Sequence, residues 1–550
     1  MLSSQLEEPL LPLAPTSSRA RLHIGSALSI LASLLVVYTI YRPTHSAPQS
    51  HNGLGVVRLV SAAEIESIQQ MATKPVLRCD SVIEQVVRHN ANKSFELLQE
   101  QYTLQASSVN MFYRGTDYMF WNDFLNLGWG DFDLSKYVTD SAKHPNDLTS
   151  NEIRRTSAWT WVTGDQHLSN FGAWKNRAGV VVWGVNDFDE AVIFDFQMDV
   201  WRLAVSIYDH ALSNDYTEEQ AVSAIIAFTD SYVDTLVGYL GNERAQLFEM
   251  TANDATGKLK AFLSDTERAN SAAGMLNKFT RVNEHGVREF IKNDKTRLGH
   301  VDARTRDAVM KAWTTEGYGA TLNRVGWHEI EFSDEYFHVL DIATRLGSGD
   351  GSFGSMRLYL LITGGDRLKP DVPNVILDLK LAPEPAMRHT LSKADLAWYN
   401  TLFLNEGSRV SLAQRALSTF TDPYTGWIEV DDKILAVRQR SPYKESFDLD
   451  MLKNFSEFVE FVQQAAIVTA TSHQRGTVGR SPANFKEVIA SVLGDKKSRT
   501  AWGTKVAAIA SGYRQQLVLD YQCFVDWVDL TFPSAAAAAL KTGSQNHREL

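Results

Sequence analysis

Cysteine is nearly absent: 550 residues carry two, Cys79 and Cys523. Two thiols cannot build a zinc ligand cluster or a disulfide framework. One bridge between them can form if the folded body faces an oxidising lumen, and nothing in their spacing calls for it. Basic charge is also short. Lys and Arg total 54 against 65 Asp and Glu, a formal net charge of -11. Non-specific nucleic-acid binding rests on basic patches that neutralise phosphates, so no nucleic-acid partner is expected. An acidic chain can still hold a nucleotide through a few local donors and a metal ion. No internal repeat is visible.

What is present is an ordinary globular composition, 44% hydrophobic and 22% charged, with length enough for two or three domain-sized cores. Residues 1–23 form a polar tail in which Pro9, Pro12 and Pro15 oppose a folded element. Residues 24–41, IGSALSILASLLVVYTIY, contain no charge and are just long enough to span a bilayer as a helix. The following THSAPQS is a poor signal-peptidase site because Pro48 follows the small-residue pair, so an uncleaved signal anchor is expected. Arg19, Arg21 and His23 before the span, against Arg42 and Arg58 after it, orient it weakly. Sequons at Asn92 and Asn454, and a terminal His547-Arg548-Glu549-Leu550 similar to a lumenal retrieval signal, lean toward a lumenal body. Arg548 stands where that signal has Asp. The expected plan is a linker over 42–60, a folded body over 61–530 and a flexible tail over 531–550.

Within the body, Thr217 to Leu240 reads as a helix, with a Thr217–Gln220 capping box and Gly241 as its stop. Ile225, Phe228, Tyr232, Leu236 and Tyr239 recur at helical spacing and predict one buried stripe. Phe455 to Ala470 and Asn484 to Leu493 read as helices; 180–183 and 357–362 read as strands. Mixed strands and long helices predict an α+β or α/β body.

The chemistry concentrates between Trp161 and Glu190. Asp165, His167 and Asn170 share a loop bounded by Gly164 and Gly172; a short apolar strand leads on to Asn186-Asp187-Phe188-Asp189-Glu190. Phosphoryl transfer needs a carboxylate near the attacking hydroxyl and oxygen ligands for magnesium. Asp165 suits the first role. Asn170 and Asp187, with Asp189 as a further metal ligand, suit the second. Asp165, His167 and Arg114 are the catalytic candidates, His167 as a residue that orients the loop. Arg114 can hold a phosphate or carboxylate bidentately, or pair with an acid such as Asp123. Isolated Asp/Asn/Gly clusters are usually turns; two in this order, split by a strand, predict a metal–phosphate site.

A nucleotide clamp is expected downstream of these loops, not upstream. Gly347, Gly349, Gly351 and Gly354 crowd one turn, the strand 357–362 follows, and the next ends at Lys380. Glycines let backbone N–H groups approach phosphate oxygens, and a lysine on a following strand can pair with the same phosphates. Arg438, Arg440 and Lys444 form a basic segment beyond; Arg438 is a candidate for the nucleotide. Asp199 and Arg202, three apart, are expected to tie a helix start to the catalytic loop.

The stretch Asp165 to Asn170 resembles the catalytic loop of aminoglycoside and choline phosphotransferases, with Gly-Asp-x-His-x-x-Asn followed by an apolar residue, Asp and an aromatic. Six ordered segments resemble the domain-of-unknown-function family 2252: 112–115, 164–172, 186–190, 199–203, 347–380 and 437–444, spread over roughly 61–530. Where members continue the lysine with Glu-Ala, this chain has Leu381-Ala382-Pro383-Glu384, a departure at the lysine–glutamate pair. The resemblance implies a protein-kinase-like two-lobed fold with its lobes in permuted order: catalytic and metal loops over 161–203, a glycine-rich nucleotide lobe over 338–445 and a helical part over 446–530.

The expected function is ATP- and magnesium-dependent phosphoryl transfer to an unknown small-molecule or protein hydroxyl, at a membrane reached through residues 24–41. Two other classes stay open. One is a non-catalytic kinase-like module that binds nucleotide or a partner. The other is different chemistry at the same carboxylates, either nucleotidyl transfer or metal-dependent hydrolysis by Asp165, His167, Asp187 and Asp189.

Overall fold

The capping box at Thr217 is formed in the computed structural model of the chain. Thr217 Oγ1 accepts from Gln220 N at 3.3 Å, Gln220 Oε1 accepts from Thr217 N at 2.9 Å, and the helix Glu218–Gly238 follows. Ile225, Phe228, Tyr232, Leu236 and Tyr239 are all buried, each such side chain contributing about 1.5–3 kcal/mol of transfer free energy. Among the described residues this is the one helix long and apolar enough to cross a membrane, and it is mostly buried within the body. The structure describes residues 59–137, 158–176, 178–324, 331–347, 355–364, 373–419, 421–477 and 485–532. The expected anchor at 24–41, Gly349, Gly351, Gly354 and the terminal His547–Leu550 lie outside them. All described residues belong to one unit, 53–550.

The architecture is α+β. Two hairpin-like pairs come first: β1 (Trp159–Val162) with β4 (Val192–Asp195), and β2 (Phe171–Lys175) with β3 (Val181–Val185). β5 (Met250–Thr251) extends β3, and β6 (Thr280–Val282) pairs with β7 (Arg288–Phe290). A six-stranded antiparallel sheet follows from β8 (Leu298–Gly299), β9 (Val339–Arg345), β10 (Arg357–Ile362), β11 (Val375–Leu381), β12 (Gly426–Val430) and β13 (Lys433–Gln439), in the order β12-β13-β11-β10-β9-β8. β9 and β10 pair antiparallel on either side of the glycine-rich segment, and the sheet reaches back to Leu298, upstream of the boundary expected at 338. β14 (Glu445–Ser446) pairs with β2, so the Ser441–Ser446 segment links the sheet to the loop-bearing hairpin.

Strand alternation sorts the sheet residues. Leu358, Leu360, Leu377, Leu379, Leu435 and Val437 share one core. Tyr359, Leu361 and Ile376 belong to another. Arg357, Asp378, Lys380 and Arg438 fall on the alternate positions, opposite the Leu358–Leu377 core. A third, largest core joins the helices Gln197–Ser213, Glu218–Gly238 and Phe455–Gly476 with the 36-residue helix Lys496–Thr531.

Cys79 and Cys523 are bonded, with their Cα atoms 5.0 Å apart, which fastens the helix Cys79–His89 to Lys496–Thr531. Arg78 reinforces the junction through Asp123 (2.6 Å) and Asp520 (2.5 Å). Cys79→Ser is expected to lower unfolding stability by about 2–4 kcal/mol. The oxidised chain, denatured without reductant, should yield no titratable thiol; two thiols would show that the bridge is absent.

Candidate functional site

Two loops meet because of the register of one hairpin. β2 and β3 pair with Phe171 opposite Val185, and Asn186 N donates to Asn170 O at 3.2 Å. The loop ending at Asn170 and the loop beginning at Asn186 therefore leave the same end of the hairpin. Both bounding glycines answer to this closeness. At Gly164 (φ +78°) a Cβ would lie 2.2 Å from Glu190 O, and at Gly172 it would lie 2.3 Å from Asn186 Nδ2.

Asp165 is held from several sides. Arg202 contacts Oδ1 through Nε (2.7 Å) and a terminal nitrogen (2.6 Å), and Asn170 Nδ2 donates to the Asp165 carbonyl at 2.6 Å. That bond fixes the Asn170 amide and leaves its oxygen to accept from a cation or donor. His167 is buried, and its Nδ1 accepts from Ser169 N at 3.2 Å, which puts the ring proton on Nε2, 3.6 Å from Asp165 Oδ2. Burial, with Arg114 and Arg202 nearby, holds His167 well below its usual range, so it stays neutral and orients the loop. Arg114 does not pair with Asp123. Its terminal nitrogen meets Met111 Sδ at 3.4 Å, while Asp123 belongs to Arg78 and Tyr513.

The metal-loop carboxylates meet the sheet through Lys380. Its ammonium is ion-paired with Asp189 and lies 3.8 Å from Asp187 Oδ1. Burial would raise the Asp187 carboxyl, but Lys380 first, then Arg438 and Lys444, hold it at about 2. Asp189 is pushed the other way by burial and by Asp187 beside it, against the pull of Lys380. Burial works against the Lys380 charge, and Asp187 and Asp189 outweigh it, raising that group. The lysine's partners are thus two aspartates. Glu384 pairs with Arg388 at 2.9 Å instead.

These residues suit magnesium. The ion takes hard oxygen ligands, usually one or two carboxylates with substrate phosphates and water completing the shell. Asp187 is ionised with its side chain 42% exposed, and Asn170 offers an amide oxygen. Among the described residues no group of three or more His, Cys, Asp and Glu is placed to hold a metal unaided.

Of the nucleotide candidates, Gly347 is described, in the left-handed region (φ +62°) next to the end of β9. Arg438 donates to Asn186 O at 3.3 Å and approaches Asp378 at 4.0 Å, so it joins the sheet to the metal loop.

Asp199 and Arg202 tie the start of the helix Gln197–Ser213 to the catalytic loop, as expected, whereas His473, Arg409 and Asp117 are supports that sequence reasoning did not reach. Asp199 accepts from Thr163 N (2.7 Å), Thr163 Oγ1 (2.9 Å) and Gly164 N (3.0 Å), fixing the turn that precedes Asp165. His473 Nε2 lies 3.1 Å from the same carboxylate, and its Nδ1 is 2.7 Å from Tyr232 Oη. Arg409, fully buried, donates to the carbonyls of Ala191 (2.5 Å), Asp189 (2.7 Å) and Pro383 (2.8 Å), clamping the metal loop to the segment after Lys380. Asp117 sits 3.1 Å from Arg202, with both carboxylate oxygens lacking a hydrogen bond.

No curated protein and no solved structure matches the chain. The family described as "Uncharacterized protein conserved in bacteria (DUF2252)" matches residues 95–527, most of the folded body, and the chain belongs to it.

Proposed function

We propose that this protein is a kinase-like phosphotransferase, its lobes in permuted order, anchored in a membrane by residues 24–41 with the body on the lumenal side. One observation carries the catalytic reading: Lys380, on β11 of the six-stranded sheet, meets Asp187 and Asp189 at the mouth of the hairpin that holds Asp165 and Asn170. Three types of group that phosphoryl transfer requires converge there from segments more than 190 residues apart in the chain. The Cys79–Cys523 bridge supports an oxidising compartment.

In this reading Asp187 and Asn170 hold magnesium, with Asp189 completing the acidic loop and Lys380 passing from the aspartates to phosphate oxygens. Magnesium bound with ATP would supply charge neutralisation across the phosphates. Asp165 accepts the proton of, or orients, the acceptor hydroxyl through the oxygen that Arg202 leaves free. His167 keeps the loop in register, and Arg114, whose buried Nε has no partner, is the candidate to hold a phosphate or carboxylate of the acceptor. The Arg438 guanidinium steadies Asn186 at the base of the metal loop.

The test is calorimetry on the full-length chain. Wild type is expected to bind ATP with a strong magnesium dependence, and Asp187→Ala to abolish that dependence. Unchanged metal-dependent binding in the variant would end the assignment. The grip of Arg202 on Asp165 also favours a second reading, a nucleotide-binding module without turnover, because two guanidinium contacts already occupy Oδ1 and leave one oxygen for an acceptor hydroxyl. ATP binding without phosphate or adenylate transfer to any acceptor would select it.

A further inference from the structure

Beside the Asp187 loop, where the chain passes from β13 to β14, lies a cleft of about 600 Å³, part of it open to solvent. Arg438, Arg440 and Lys444 line it, along with Asn186, Phe188 and Thr421. Two of these cations have only neutral or distant partners. Arg438 reaches the Asn186 carbonyl, and Arg440 donates to the Ser441 carbonyl at 2.7 Å. The Lys444 ammonium has no hydrogen-bond or ion-pair partner among the described residues.

The carboxylates within range are already engaged. Asp378 is gripped bidentately by Arg357, at 2.7 and 2.5 Å. Asp187 and Asp189 belong to Lys380. Asp422 accepts from the backbone amides of Gln439 (2.9 Å) and Tyr424 (3.0 Å). Thr421, 2% exposed, presents a buried hydroxyl with no partner.

Like charges gathered at a partly enclosed site, whose nearby carboxylates are committed to other partners, destabilise the folded chain. Burial first, and then Arg438 and Arg357, hold the Lys444 ammonium well below its usual range. A bound anion removes that cost. Arginine forks and a lysine point charge together suit phosphate, which offers several acceptor oxygens and up to two negative charges.

We propose that Lys444, with Arg438 and Arg440, forms a phosphate subsite separate from the Lys380 position. Which substrate carries the phosphate rests on the phosphotransferase reading; the binding itself does not. The phosphate belongs either to the donor nucleotide or to a phosphorylated acceptor.

The probe is tripolyphosphate, titrated by calorimetry into the full-length chain without divalent cation, with inorganic phosphate as a second probe. Wild type is expected to bind tripolyphosphate. Lys444→Met should weaken it tenfold or more, while Lys444→Arg stays within about threefold of wild type. Thermal unfolding of Lys444→Met should occur at or above the wild-type temperature, because an unpaired cation has been removed; a purely structural lysine would lower it. No tripolyphosphate binding by wild type, or equal binding by Lys444→Met, overturns the subsite.

The arms also separate the two readings. If Asp187→Ala keeps its magnesium dependence for ATP, the phosphotransferase assignment falls, and the subsite stands on the Lys444 result alone. If Lys444→Met weakens ATP with magnesium as much as tripolyphosphate, the phosphate is the donor's. If ATP binding survives and only the two phosphate probes weaken, the phosphate is the acceptor's.

Discussion

Arg202→Met is expected to cost about 3–5 kcal/mol of unfolding stability at neutral pH, because it strips the counter-charge from two carboxylates together. The guanidinium is fully buried, contacts Asp165 at 2.6 Å and Asp117 at 3.1 Å, and lies over the Tyr113 ring at 4.2 Å. Methionine can fill the volume beside Tyr113 and Phe120 but supplies no charge. Burial already holds Asp117 well above the usual carboxylate range, with Arg202 pulling it back. Without Arg202 the folded-state value climbs further, so the folded form keeps its proton over a wider pH span than the unfolded chain.

That fixes the sign of the pH dependence. Below the unfolded carboxyl value, near 4, both forms are protonated and the penalty is smallest. As pH rises, the unfolded chain ionises first and the penalty grows. Urea unfolding at pH 5 and pH 8 should therefore give a larger loss at pH 8. A loss below about 1 kcal/mol, equal at both values, would mean that Arg202 does not carry the loop. Arg202→Lys should rescue poorly, since one ammonium cannot meet two carboxylates and the Tyr113 carbonyl together.

What the sequence made legible was local. The Thr217 capping box needs residues three apart, and the strand 357–362 has clear flanks; both appear at the expected positions. The hairpin that unites Asn170 with Asn186 was readable because its two loops are separated only by the hairpin's two strands and their turn. The illegible part is pairing across distance. Asp199 and His473 are 274 residues apart, and Cys79 and Cys523 are 444 apart. No local pattern distinguishes such partners from the other buried histidines and acids.

Strand register was equally hidden. Arg357 and Asp378 meet because β10 and β11 align Tyr359 opposite Asp378, a choice made by the leucines on the other face. Arg114 illustrates the reverse case. Asp123 was a reasonable partner by proximity in sequence, but Arg78, at the N-terminus of the helix Cys79–His89, pairs with it instead.

Lys380→Met should move two affinities in opposite directions, and that opposition is its diagnostic value. The lysine side chain is 12% exposed, ion-paired with Asp189 and 3.8 Å from Asp187. In the free protein it occupies the electrostatic position a divalent cation would take between those carboxylates. Removing it leaves like charges side by side, and a cation then relieves their repulsion without first displacing an ammonium. One unit charge at about 4 Å is worth up to about 4 kcal/mol at an effective dielectric of 20. Solvent at the Asp187 side reduces this, so manganese or magnesium binding without nucleotide should tighten by roughly tenfold, or about 1.4 kcal/mol. ATP binding in saturating magnesium should instead weaken by roughly ten- to a hundredfold, since the phosphates lose their lysine. The Asp187 carboxyl, held at about 2 mainly by Lys380, should return toward its ordinary value. Its contribution to stability, present above about 4 and lost as pH falls through 2, should largely disappear. Calorimetric titration of metal alone, and of ATP with metal, reads both affinities. A parallel fall in the two would mark Lys380 as a structural strut, and no change in either would place the phosphates elsewhere.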